Sequence, residues 1–75
     1  MKRYYGLFLR DEGNLVGIAR EDENLIIEKL NVKTDIWESF PNLEKYLKVN
    51  QIYTMIINEQ VAKRAIQSLK ERRMN

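Results

Sequence analysis

Seventy-five residues with no histidine and no cysteine exclude imidazole acid/base chemistry, thiolate nucleophiles, zinc sites of the usual kind and disulfides. An apolar fraction of 44% with one proline and three glycines excludes a disordered or low-complexity chain. The net charge of +2 is unevenly spread: residues 1–40 carry six Lys/Arg against eight Asp/Glu, and residues 41–75 carry seven against three.

A chain of this size makes a single domain over residues 1–75. At about 70–80 residues one core rarely supplies more than about 3–5 kcal/mol, and small scaffolds add disulfides, a metal or a partner chain. With no disulfide and no metal or other cofactor expected, self-association is the remedy left, and a homodimer is its simplest form. The segment Met1-Lys2-Arg3-Tyr4-Tyr5-Gly6 lacks the apolar stretch of a signal peptide, and the longest purely apolar runs are three residues. A cytoplasmic protein without a membrane segment is expected.

Residues 3–10 (RYYGLFLR) are rich in aromatic and apolar side chains, as strands are. Tyr5, Leu7 and Leu9 share one face of this strand; Tyr4, Gly6 and Phe8 share the other. Asp11-Glu12-Gly13-Asn14 follows, with Gly13 able to take the positive φ of a short hairpin loop, and residues 15–20 (LVGIAR) read as the returning strand. A second acidic break, Glu21-Asp22-Glu23-Asn24, precedes residues 25–30 (LIIEKL). Six residues do not separate a strand from a short helix by period, but the branched pair Ile26-Ile27 and the turn before it favour a strand.

Thr34 or Asp35 next has the character of a helix cap, with Glu38 three residues after Asp35 in capping-box spacing. Pro41 interrupts the segment, so Ser39 or Phe40 is expected to cap a short helix over residues 42–48. Ile36, Phe40, Leu43 and Leu47 recur at three- and four-residue spacing, as one buried helical face does, with Trp37 beside them. After a break at Val49-Asn50-Gln51, residues 52–57 (IYTMII) read as a strand. Asn58 is an N-cap residue type, Glu59 suits the helix N-terminus, and Val61, Ala62, Ala65, Ile66 and Leu69 form an apolar stripe on a helix running to about Arg73. The expected fold is α+β: a small antiparallel sheet of three or four strands, packed on one face by the C-terminal helix, with one short additional helix.

Five constellations bear on function. The basic set Lys63, Arg64, Lys70, Arg72 and Arg73 could neutralise phosphates. Lys70, Arg72 and Arg73 also sit where the negative end of the helix dipole favours cations, and Lys63 and Arg64 lie off the apolar stripe, so a solvated helix face is the preferred reading. Glu21-Asp22-Glu23 lacks the further oxygens and glycine turn of a calcium loop. Asp35 and Glu38 fit a helix cap better than an acid/base pair, because no nucleophile accompanies them, and Gly6, Gly13 and Gly17 are too dispersed for a phosphate loop. Tyr4 and Tyr5, as strand neighbours, point to opposite faces, so one of them, with Phe8 on the Tyr4 side, is left for a second face. Exposed strand aromatics stack bases or fill subunit interfaces; in a chain short of core, an interface built on Tyr4, Tyr5 and Phe8 is the preferred reading.

The succession from Arg3-Tyr4-Tyr5-Gly6 through Asp11-Glu12-Gly13-Asn14 to the strand at 52–57 and the Asn58-capped helix resembles the small uncharacterised YopT-like proteins of Bacillus prophages. The likeness is one of length, residue character and element order over most of the chain. It implies three strands, one main helix, a homodimer and no assigned activity, and it carries over no functional residue. The short helix after Thr34 departs from that pattern. The expected function is that of a small non-enzymatic, self-associating accessory protein that meets another protein. The alternative is a small nucleic-acid-binding regulator using the basic C-terminal helix.

Overall fold

Runs of aromatic and branched residues put the first two segments into strands, β1 (Arg3–Leu9) and β2 (Leu15–Glu21), which pair antiparallel. The computed structural model describes residues 2–74, and for residues 73 and 74 the helical backbone alone. The loop between β1 and β2 closes as its glycine requires: Gly13 adopts φ +71°, its N–H donates to Leu9 O at 2.8 Å, and the Leu9 N–H donates to Asn14 O at 2.9 Å. A bulge follows, since Leu7 faces Gly17 but Phe8 faces Leu15.

The third segment is a strand, β3 (Ile27–Asn31), antiparallel to β2. Its first two expected residues belong instead to the turn: the Asp22 carboxylate accepts from the Asn24 and Ile26 N–H groups at 2.9 and 3.0 Å, and Leu25 takes φ +63°.

The helix cap expected at Thr34 or Asp35 is absent, and a fourth strand, β4 (Ile36–Ser39), takes its place and pairs with β3. Two local causes account for this. The Asn31 side chain accepts from the Lys33 and Thr34 N–H groups at 3.0 and 3.4 Å, and Asp35, a residue type that tolerates the left-handed region, turns the chain at φ +61°. Glu38 therefore lies in a strand and not in a capping box. Ser39 ends that strand and Phe40 continues the hairpin, its N–H donating to Ile27 O at 2.8 Å, so neither caps a helix. Pro41 keeps the preceding backbone extended, and the short helix α1 (Leu43–Val49) begins after Asn42. Ile36 consequently leaves the apolar stripe assigned to it and is 58% exposed.

Gln51, at φ +52°, turns the chain from α1 into β5 (Ile52–Ile57), which pairs antiparallel with β1. The sheet thus has five strands in the order β4-β3-β2-β1-β5, all antiparallel. That is more than the three or four read from the sequence, and with two helices it exceeds what the YopT-like resemblance implies. Asn58 caps the long helix α2 (Glu59–Met74) as expected: its Oδ1 accepts from the Val61 N–H at 2.8 Å.

Each face of the sheet has its own helix. On one, Leu7, Ala19 and Ile52 are buried with Leu43 of α1, and Tyr46 and Leu47 pack against them. On the other, α2 lies across β1 and β2, where Ile18, Ala62 and Leu69 are buried. Ala65 and Ile66 are half-buried, while Val61, expected in the stripe, is 42% exposed because it sits on the flank of α2 away from the sheet centre.

Candidate interaction surface

Tyr4 and Tyr5 diverge to opposite faces, and each is half-buried. On the α2 face, the Tyr4 ring meets Trp37 of β4 edge-on, with centroids 6.2 Å apart. The Arg20 guanidinium lies 4.0 Å above the same indole, and its Nε–H donates to Glu28 Oε1 at 2.8 Å. Strand register makes this cluster: Arg20 stands between Tyr4 on β1 and Glu28 on β3. On the α1 face, the Tyr5 hydroxyl donates to Glu21 Oε1 at 3.2 Å. A hydrogen bond with Tyr5, with the Glu21 carboxylate as a lesser cause, holds the exposed Arg3 guanidinium above its ordinary pKa.

Phe8 stacks on Tyr53 of β5 with centroids 5.4 Å apart and rings within 18° of parallel. It lies against the strand beside Gly6, where a Cβ would come within 2.7 Å of the Phe8 Cε2. Of the three aromatics singled out in the sequence, Tyr4 is therefore engaged beneath α2, Tyr5 borders a groove, and Phe8 supports β5. That groove, about 480 Å³, runs between the start of α1 and the sheet, with Tyr5, Glu21, Ile27, Leu43, Leu47 and Thr54 among its walls.

β5 leaves a run of apolar residues exposed at the sheet edge. It is an edge strand, with β1 as its one neighbour, and α1 packs against it but leaves its middle exposed. Thr54 is exposed, Met55 is 52% exposed and Ile56 is 70% exposed. The strand IYTMII carries no charged residue, no proline and no glycine, the features that ordinarily blunt an edge. The opposite edge, β4, is only four residues long and carries Glu38.

The basic set does not assemble into one face. The Lys70 ammonium pairs with the Asp35 carboxylate at 2.9 Å, tying α2 to the β3–β4 turn. The Arg72 Nη2–H donates to Leu15 O at 2.8 Å, tying it to the first hairpin. Lys63 lies beside Tyr4, Arg20 and Trp37, and Arg64 is exposed. The Arg73 side chain lies outside the described residues.

Among the described residues no group of three or more Asp, Glu, His or Cys is placed to hold a metal, and no helix is long and apolar enough to cross a membrane. The sequence reading missed the Arg20–Trp37–Glu28 cluster and the edge position of β5. The first needs strand register to be known. The second was signalled by an uncharged six-residue run, but not which of its sides would stay open.

In comparison with known proteins, no family model, no curated protein and no solved structure matches the chain.

Proposed function

We propose that this chain is a small non-enzymatic accessory protein of the cytoplasm that acts as a homodimer and presents the assembled surface to another protein. The observation that carries the reading is the exposed, uncharged β5 edge with Met55 and Ile56 in solvent. Long apolar edges with no charge are pairing sites, and a monomer that leaves one open risks unregulated association. The small core adds to the case: among the described residues eight apolar ones are buried, few for a chain with no disulfide to reinforce it. Tyr5 and Phe8, on the strand directly beside β5, are the register neighbours of Ile56 and Tyr53. The likeness to the YopT-like prophage proteins points the same way.

Sedimentation and melting test the reading together. A homodimer sediments as one at micromolar concentration, and its melting temperature rises with protein concentration, because association stabilises only the folded chain. A stable monomer whose melting is independent of concentration overturns it.

A further inference from the structure

We propose that β5 pairs with β5 of a second copy, antiparallel about a two-fold axis through Thr54, so that two five-stranded sheets become one of ten. The proposal rests on the self-association reading and adds to it the element, the register and the symmetry.

Hydrogen-bond alternation fixes which groups are open. The Leu9 N–H donates to Asn14 O on the β2 side, and the next residue, Arg10, donates its N–H to Gln51 O at 2.8 Å on the β5 side. The β1–β5 register runs without a shift from Leu9↔Ile52 to Tyr4↔Ile57. Alternation then directs the backbone groups of Gln51, Tyr53, Met55 and Ile57 toward β1, and those of Ile52, Thr54 and Ile56 outward. An antiparallel partner related by a two-fold axis normal to the sheet must set each residue opposite one whose side chain is on the same face. The register that uses every outward group places Thr54 opposite its own copy and Ile52 opposite the partner's Ile56. Three hydrogen-bonded pairs result, with about six backbone hydrogen bonds.

The sequence is self-complementary in that register. About Thr54 it reads almost the same in both directions: Tyr53 and Met55 flank it, then Ile52 and Ile56. On the α1 face, Ile meets Ile on either side of a Thr–Thr pair; on the α2 face, each Met55 meets a Tyr53, a favourable sulfur–aromatic contact. No charge lies within the paired segment, so symmetry brings no like charges together. The axis keeps both α1 helices on one face and both α2 helices on the other. The short, Glu-bearing β4 edge offers no such match, so the partner of β5 is β5 of a second copy.

The chain has no cysteine, so single cysteines introduced into this 75-residue chain read the register directly. With Thr54→Cys, the opposed Cα atoms stand about 5.5 Å apart, within disulfide range. In Met55→Cys, they are about 8 Å apart, and in Ile56→Cys farther still, beyond that range. Mild oxidation is expected to give a covalent dimer with Thr54→Cys alone. Independently, Thr54→Glu and Thr54→Lys, each changing an exposed side chain, should weaken dimerisation by about tenfold or more, and mixing the two should restore it. Circular dichroism melts confirm that each variant folds. A dimeric parent in which neither charge variant weakens association and Thr54→Cys does not cross-link overturns β5 pairing while leaving self-association standing. Cross-linking through Met55→Cys in place of Thr54→Cys overturns the register, and a monomeric parent overturns both readings.

Discussion

Phe8 lies flat on its strand because position 6 has no side chain to lift it. Alanine at Gly6 would ordinarily favour a strand by reducing chain entropy, but here the added Cβ meets Cε2 of Phe8 at 2.7 Å and Cζ at 3.1 Å. The ring must then shift, and with it its stack on Tyr53, the residue through which Phe8 supports β5. Gly6→Ala is therefore expected to destabilise the fold by about 1–3 kcal/mol, as overpacking does. Thermal melting measures it, and the Phe8→Leu background checks the cause. With the ring gone, the same substitution should cost markedly less, since contacting residues are not additive. Equal costs in the two backgrounds would remove the steric explanation.

At the level of elements, α2 carries an uneven share of the core. Leu69 is buried against the sheet, Ile66 is half-buried, and Val61 stands on the exposed flank. Leu69→Ala should cost about 2–5 kcal/mol, enough to threaten folding in so small a domain. Val61→Ala should stay within about 0.5 kcal/mol, as ordinary surface changes do. Chemical denaturation of the two variants ranks them, and a Val61 change as costly as the Leu69 change would reverse the orientation of the helix. The legibility of the sequence divides along the same elements. The first hairpin could be read because Gly13 declares its turn, and α2 because Asn58 declares its start. β4 could not: four residues satisfy either period, and an Asp followed by a Glu three residues on suits a helix start and a hairpin turn alike. Ile36, Phe40, Leu43 and Leu47 matched a helical spacing only because a strand and a helix lie on either side of Pro41. The contacts of Arg20, Lys70 and Arg72 depend on elements distant in sequence, so residue type alone carried no sign of them.

Over the whole molecule, the question is whether the positive C-terminal half forms a surface for nucleic acid. Two of its cations are already used within the fold, Lys70 on Asp35 and Arg72 on the Leu15 carbonyl, so a phosphate would have to compete with both. Lys63 and Arg64 are exposed and carry the decisive test. If they only solvate the helix, replacing both with Gln should leave stability within about 0.5 kcal/mol. Dimerisation through β5 should survive as well, since neither residue lies on that strand. If they contact phosphates, the parent should bind DNA or RNA at low salt, with log affinity falling against log salt by about 0.9 per phosphate neutralised on duplex DNA. The double variant should then lose up to about two such contacts from that slope. The expected outcome is no specific binding by the parent in a salt titration. A submicromolar complex at physiological salt that Lys63→Gln with Arg64→Gln abolishes would put the nucleic-acid regulator ahead of the accessory dimer.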